Sequence, residues 1–358
     1  MKQLKATIAF VLAAVAAGAA HAGAGIINTT VVPITTDPVT YSTTATSKRA
    51  ALTSYLGYLV NVGSDPSNTN TINNVVFTAT TVVSDGTGVA EFASSDGASC
   101  QQTANPTGAP ANAYTIACAI GQLRAGEQYP TFVVLFKAPV KVVDTSVVVQ
   151  FSGITYYAEG TGGLTSPPQN STKTWSAANV PLGTSNPLLI HSVVPKTGGT
   201  LFTGDGGVSD SISPFTTTAT IPAAATYTNA QIEVTPLPIT VEPNCANFTP
   251  CYGTSLTIPG TFSPYLQFTF RVDSSQIKKG TNINGVVLYY QPSTTTSFTQ
   301  IGDCASPTTP IGGDSAGTPC IAARKYYKNK GTPGWTVDLD GDFEWTILNL
   351  KNGIYKIN

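Results

Sequence analysis

A glycine-rich segment holds the residue best placed for nucleophilic chemistry. Residues 313–317 read GDSAG and match the G-x-S-x-G pattern of hydrolase nucleophile elbows. Such an elbow needs a strand before the serine, a helix after it and a histidine later in the chain, whereas Pro310 and Pro319 flank this segment and no histidine follows it. We therefore predict a flexible loop and no enzymatic activity; a serine hydrolase that uses Ser315 is the remote alternative.

His191 is the second residue with catalytic or metal-binding potential. Imidazole titrates near neutral pH and is a common metal ligand. A triad with its histidine upstream of the serine would have to use His191 as the base for Ser315. His191 stands alone at the start of the second half of the chain, so we predict an ordinary strand or linker residue.

Three carboxylates alternate near the C-terminus. Asp338, Asp340 and Asp342 have a spacing that calcium can use in a turn, because calcium prefers oxygen ligands. The segment lacks the other ligands of an EF-hand loop, so the prediction is an exposed acidic turn with no cofactor, and calcium binding is the alternative. A weaker acidic loop contains Asp205 and Asp210.

The six cysteines fall into three local couples. An even number of cysteines in an exported chain favours disulfides, and pairing between neighbours is the simplest connectivity. Loops of this size contribute roughly 2–3 kcal/mol each by chain entropy. The predicted disulfides are Cys100 with Cys118, Cys245 with Cys251, and Cys304 with Cys320.

The charge balance excludes several classes of partner. Charged residues make up 10% of the chain, and the formal net charge is −1. Nucleic acids and anionic membranes attract basic surfaces, so neither is a predicted partner. The single basic cluster, Arg324 to Lys330, alternates cations with Tyr326 and Tyr327, and we interpret it as an edge strand protected by its lysines.

Residues 1–22 have the pattern of a secretory signal peptide. Lys2 and Lys5 precede an apolar run, and the small residues around His21 predict cleavage between Ala22 and Gly23. The run is shorter than the roughly 20 residues that span a bilayer, so the mature chain is predicted to have no membrane span. The expected location is extracellular or on the cell surface, with the periplasm as the alternative.

Apolar residues recur with period two along the mature chain, which predicts an all-β fold. Leu56, Tyr58, Val60 and Val62 are expected on one buried face, whereas 132–136 is apolar on both faces and suits a central strand. About seven short strands are predicted before residue 160. Near the C-terminus, Asn352-Gly353 predicts a tight hairpin turn. Two immunoglobulin-like β-sandwiches are predicted in tandem, at 23–184 and 185–358.

A series of short sequence motifs suggests a resemblance to a known family. YLVNVG (58–63), INNVVF (72–77), the Cys100–Cys118 couple, CAIGQL (118–123) and VVLFKAP (133–139) follow one another in order. This region, about residues 50–140, resembles the repeat domain of bacterial secreted surface proteins known as the eleventh domain of unknown function. The second half resembles regions that accompany it. The resemblance implies an extracellular, non-catalytic, immunoglobulin-like module.

Together these features predict an exported structural or adhesive protein. Its predicted partners are other copies of the chain or other components of the cell surface. The alternative is an extracellular module that binds glycans or calcium.

Overall fold

The protein is an all-β sandwich. The computed structural model describes residues 25–41, 53–68, 71–140, 147–157, 171–183, 189–203, 215–236, 252–258, 266–293, 297–306, 318–327, 341–349 and 352–357. Its only helical segments are the 3-10 turns Ser274–Gln276 and Ile283–Gly285 within this part of the chain. No helix in the same ranges has the length and hydropathy of a membrane span.

The N-terminal half contains two sheets. Its strands are β1 (Ile27–Pro33), β2 (Val39–Thr40), β3 (Tyr55–Ser64), β4 (Ile72–Val83), β5 (Phe92–Asp96), β6 (Ser99–Thr103), β7 (Tyr114–Leu123), β8 (Phe132–Lys137), β9 (Val147–Tyr157), β10 (Ser171–Ser176) and β11 (Val180–Gly183). One sheet has the order β1-β3-β8-β5. The other has the order β2-β11-β9-β4-β7-β6, and β10 also pairs with β9.

Alternate residues of both sheets build one hydrophobic core between Ile27 and Leu182. The predicted face of β3 is confirmed, because Leu56, Tyr58, Val60 and Val62 are all buried. Phe151 lies at the centre, stacked on Tyr58 with 4.2 Å between ring centroids and in edge contact with Trp175 at 5.2 Å. We call this unit, residues 25–183, the N-terminal sandwich.

The C-terminal half also contains two sheets. Its strands are β12 (Leu189–Val194), β13 (Gly199–Phe202), β14 (Phe215–Ile221), β15 (Thr228–Pro236), β16 (Tyr252–Thr257), β17 (Leu266–Val272), β18 (Leu288–Pro292), β19 (Thr299–Gln300), β20 (Cys320–Tyr326), β21 (Phe343–Asn349) and β22 (Gly353–Ile357). The sheets have the orders β12-β15-β16-β22-β18-β19 and β13-β14-β17-β21-β20.

A second hydrophobic core runs from Ile190 to Ile357. Its largest fully buried side chains include Trp345, Tyr355, Phe268 and Phe270. The hydroxyls of Thr217 and Thr254 meet between the two sheets at 2.9 Å, which satisfies both buried groups. We call this unit, residues 189–357, the C-terminal sandwich. The predicted boundary falls in 184–188, outside the described residues, and the number of immunoglobulin-like domains stays a prediction.

Two expectations about the strands were wrong. Nine strands are described before residue 160, whereas about seven were predicted, because edge strands such as β5 and β6 bury little and therefore lack a clear apolar alternation. The Asn352-Gly353 pair does not form a hairpin, since β21 and β22 belong to different sheets. Asn352 instead accepts the Ile258 N–H through Oδ1 at 2.7 Å. Gly353 is required for space: a Cβ there would lie 2.4 Å from the Gln291 carbonyl oxygen.

Candidate functional site

Strand β12 joins the two sandwiches by packing against β2 and β3. The His191 N–H donates to Thr40 Oγ1 at 2.9 Å, and the Tyr55 N–H donates to Ser192 Oγ at 3.0 Å. The imidazole Nδ1 lies 2.7 Å from the Pro38 carbonyl oxygen, which can only accept, so Nδ1 carries the proton in this contact. His191 is therefore a buried strand residue that ties the sandwiches together.

Apolar side chains fill the same joint. Val133 and Leu135 lie on the outer face of β8 and pack against Val193 of β12. All three are buried, although they face away from both sandwich cores. This contact explains why residues 132–136 are apolar on both faces: one face is core and the other is the joint.

An ion pair lies at the margin of the joint. Lys196 Nζ is 2.7 Å from Asp96 Oδ2, and both side chains are partly exposed. The hydrogen bond from Lys196 lowers the pKa of Asp96, and a hydrogen bond from Tyr227 acts in the same direction. Burial raises the pKa of Tyr227, and the charge of Asp96 raises it further. At neutral pH Asp96 is therefore a carboxylate and Tyr227 a neutral phenol.

These residues border a cleft of about 410 Å³ between the sandwiches. Ile34, Leu59 and Val133 supply its apolar surface, whereas Asp96 and Lys196 supply charge at its margin. The cleft could hold a small ligand with an apolar face and hydroxyl groups. The lowered pKa makes Asp96 a weaker base and the raised pKa makes Tyr227 a weaker acid, so neither group is tuned for proton transfer near neutral pH.

The predicted calcium ligands are not seen together. Asp338 and Asp340 lie outside the described residues. Asp342 is fully buried at the start of β21, where Oδ1 accepts the Ser274 N–H at 3.0 Å. Within the described ranges, no group of three or more histidine, cysteine, aspartate or glutamate side chains is arranged to hold a metal. Asp342 therefore serves the fold locally by holding the turn at Ser274.

Two of the predicted disulfides are present. Cys100–Cys118 joins opposed residues of β6 and β7, with 4.0 Å between the Cα atoms. Cys304–Cys320 ties the first residue of β20 to the segment 302–304, which also hydrogen-bonds to Ile321. Cys245, Cys251, the GDSAG segment with Ser315, and the acidic loop with Asp205 and Asp210 lie outside the described residues. The disulfides indicate an oxidising compartment.

The first residues of the basic cluster, Arg324 to Tyr326, lie on the edge strand β20, whereas Lys328 to Lys330 are outside the described residues. Strand β20 is the last strand of its sheet, and a bulge separates Ile321 from Ala323. Arg324 forms an ion pair with Asp303 through Nη1, and Lys325 Nζ is 4.2 Å from the ring centroid of Tyr327. The cations of the described part of this cluster are thus held by neighbouring side chains.

Sequence reasoning missed the cleft residues Asp96, Lys196 and Tyr227. They come from three distant segments, and each is an ordinary surface residue in its own segment. The one signal in the sequence was the run 132–136, whose second apolar face required a cover. No known protein family matches the chain, and no curated protein is significantly similar to it. The family resemblance stays a prediction drawn from the quoted residues.

Proposed function

We propose that this protein is an exported, non-catalytic structural or adhesive component of the cell surface or extracellular matrix. The observation that carries the proposal is the joint between the sandwiches. Val133, Leu135 and Val193 bury an apolar surface there, and His191 and Ser192 add hydrogen bonds across it. Tandem modules joined in this way transmit a load from one to the next and keep a fixed spacing.

The composition and the disulfides support the same role. A chain with few charges has little electrostatic repulsion between copies, which favours association. Disulfides within each sandwich resist unfolding in an oxidising environment. The predicted leader and the resemblance to secreted surface proteins support export.

Localisation in the producing cells tests this proposal. An antibody against the mature chain, residues 23–358, is expected to label intact cells and to detect the protein in the surface or matrix fraction. A strain that lacks the gene is the control for antibody specificity. Recovery of the protein only as free monomer in the medium would contradict the structural role.

The role of the joint in fixing the spacing of the sandwiches can be tested separately in solution. Val193→Asp places a charge in the apolar contact with Val133 and Leu135, and we expect small-angle scattering to show a wider distribution of distances between the sandwiches. Thr218→Asp, on the partly exposed outer face of β14, is the matched control and is expected to change nothing. An unchanged distribution in Val193→Asp would show that the contact does not set the spacing.

Glycan binding is the second candidate function, and the cleft is the observation that favours it. Sugars combine apolar faces with hydroxyls, and the cleft offers Leu59 and Val133 beside Asp96 and Lys196. A glycan array with the mature chain is the first test. Any signal should disappear in Asp96→Ala and persist in Asp303→Ala, whose carboxylate is also ion-paired but lies on the C-terminal sandwich.

Two further alternatives have direct tests. Calcium binding should raise the melting temperature, because a ligand that binds only the native state stabilises it. A serine hydrolase should react with a fluorophosphonate probe, and this label should vanish in Ser315→Ala. We expect neither the shift in melting temperature nor the labelling.

A further inference from the structure

The strands at the ends of the sheets differ in how well they are protected against pairing with another chain. Charges, bulges, shortness and covering by other elements all hinder strand addition. Strand β20 has a bulge and two cations, β5 has a bulge, β10 carries Lys173, and β2, β13 and β19 are short. Strand β1 is packed against β10, and β12 is covered by the joint. Strand β6 is the end strand that remains.

Strand β6 is accessible along its whole length. Ser99, Gln101 and Gln102 are exposed, and Cys100 and Thr103 are partly exposed. The strand carries no charge, and its register with β7 is continuous. Strand β5, which precedes it in the chain, pairs with β8 in the other sheet. No described strand pairs with the outer edge of β6.

The disulfide indicates which backbone groups of β6 point outward. Cys100 and Cys118 are opposed on β6 and β7, and their Cα atoms are 4.0 Å apart. In an antiparallel ladder, opposed residues that share no hydrogen bonds have Cα atoms about 4.5 Å apart, against about 5.5 Å for hydrogen-bonded pairs. Because the two kinds of pair alternate, the N–H and C=O groups of Cys100 and Gln102 point away from β7. The described residues provide no other hydrogen bond to these groups.

The same disulfide holds the edge in place. It adds a covalent link at the second residue of β6, and its other half, Cys118, is fully buried in the N-terminal core. Strand β6 therefore presents its outward backbone groups in a fixed conformation. A fixed conformation lowers the entropy that is lost when another strand pairs with this edge.

We propose that β6 is the edge through which two copies of this chain associate, by antiparallel pairing of β6 with β6. This inference rests on the proposed structural role and deepens it by naming the partner and the contact. When the pairing is centred on Gln101, Cys100 of each copy lies opposite Gln102 of the other. Each of these opposed pairs then exchanges hydrogen bonds through its outward N–H and C=O groups.

The partner is a second copy because the side chains of β6 are complementary to themselves. Cys100 faces the core, so Ser99, Gln101 and Thr103 lie on the outer face of the sheet. The register places Gln101 opposite Gln101 and Ser99 opposite Thr103. Amides and hydroxyls both donate and accept, so each of these pairs can form a hydrogen bond, whereas like charges at the axis would repel. One two-fold axis satisfies every pair, as in an isologous dimer.

The contact is small, so the dimer is expected to be weak in dilute solution. Each copy contributes one strand of five residues. At a cell surface or in a matrix, the high local concentration of the chain favours the pairing. The sheet that ends at β6 then continues into the same sheet of its copy.

Cysteine trapping tests the register in the mature, disulfide-bonded chain and detects a weak dimer. In Gln101→Cys the two new thiols meet across the axis at a Cα distance that a disulfide spans, and we expect dissolved oxygen to produce a covalent dimer. Ser99→Cys is the matched control, because Ser99 is also exposed and also adjacent to Cys100. In this register its two copies lie about 14 Å apart, beyond the reach of a disulfide. Non-reducing electrophoresis measures the dimer, and peptide mapping identifies the linked residues.

A backbone substitution tests the hydrogen bonds between the copies. Gln102→Pro removes an outward N–H and leaves the ladder with β7 intact, so we expect its melting temperature to be unchanged. Its dimer should weaken at least about tenfold, because each copy loses a donor to the other. Gln102→Ala keeps the N–H and is the control, expected to associate like the unmodified chain. Sedimentation velocity over a concentration series measures the association.

The outcomes separate this inference from the proposed function. The inference is overturned if Gln101→Cys stays monomeric, or if Ser99→Cys cross-links to the same extent. It is also overturned if Gln102→Pro associates like Gln102→Ala, or if Gln102→Pro unfolds, since the Gln102 N–H would then belong to the ladder with β7. Failure of the surface-localisation experiment with an intact β6 dimer would reject the proposed function and leave the dimer standing.

Discussion

The N-terminal and C-terminal sandwiches have similar buried cores but differ in the residues of their edge strands. In the N-terminal sandwich the core is dominated by contacts among Tyr58, Phe151 and Trp175, and the edge strand β1 is uncharged. In the C-terminal sandwich the edge strand β20 carries cations, a bulge and one end of a disulfide. Both sandwiches have an aromatic core and one described disulfide, but β20 is tied further by the Arg324–Asp303 ion pair, whereas β1 carries no charge.

The largest effect should come from the N-terminal aromatic core. Phe151→Ala removes ring contacts with Tyr58, Phe136 and Trp175, and we expect a loss of about 4 kcal/mol in the free energy of unfolding, measured by urea denaturation. Phe151→Leu should lose clearly less because it leaves a smaller cavity. Equal losses in the two variants would show that the aromatic contacts do not dominate this core.

The disulfide beside β20 should come next. Cys304→Ser/Cys320→Ser opens a loop with a sequence separation of 16, and chain entropy predicts a loss of about 3 kcal/mol in unfolding free energy. Thermal unfolding of the variant and the unmodified chain under non-reducing conditions measures this loss. If the double variant unfolds at the same temperature as the unmodified chain, the other contacts of β20 are sufficient to hold this strand without the disulfide.

A polar network on the outer face of the C-terminal sandwich should have a smaller effect. Glu344 Oε2 accepts from Arg271 Nε at 3.0 Å and from the Tyr327 hydroxyl at 2.8 Å, and both members of the ion pair are largely buried. Glu344→Gln leaves the Arg271 charge without a carboxylate partner. We therefore expect the free energy of unfolding, measured by chemical denaturation, to fall by about 2 kcal/mol. Thr346→Gln, on the same strand and face, is the control.

One substitution in the N-terminal core should increase stability. The Tyr58 hydroxyl is buried and has no hydrogen-bond partner among the described residues, and burial raises the pKa of this phenol. Tyr58→Phe keeps the ring and removes the unsatisfied oxygen, so we expect a gain of about 1 kcal/mol in unfolding free energy. A lower free energy of unfolding in Tyr58→Phe would mean that the hydroxyl has a hydrogen-bond partner, for example a buried water molecule.

The smallest effect should come from the ion pair between Asp96 and Lys196 at the margin of the joint. Lys196 lowers the pKa of Asp96 in the folded state, so this ion pair stabilises the fold above the unfolded carboxyl pKa, near pH 4. The contribution is lost as pH falls through the lowered pKa. Because both side chains are partly exposed, we expect Asp96→Asn to lower the free energy of unfolding by less than about 1 kcal/mol at pH 7 and not to change it at low pH. Melting curves of both proteins over a pH series should converge at acid pH.

Local patterns in the sequence predicted the elements whose burial is regular. The alternation of Leu56, Tyr58, Val60 and Val62 was sufficient to predict β3, because one face of that strand lies in a core. The close spacing of Cys100 and Cys118, and of Cys304 and Cys320, was sufficient for two disulfides, because neighbours along a hairpin or loop meet without a long-range fold. The polar edge strands β5 and β6 were missed because they bury little.

The sequence by itself determined the all-β class, the buried faces of the regular strands and the pairing of two of the three cysteine couples, since each follows from interactions within a short stretch. Only the tertiary structure decided which surfaces face each other: that Val133 and Leu135 pack against Val193, that His191 bonds to Pro38, and that the Asn352 turn joins two sheets. The physical reason is that these contacts join residues far apart in the chain. Their energies depend on the packing of whole sheets, which no local pattern records.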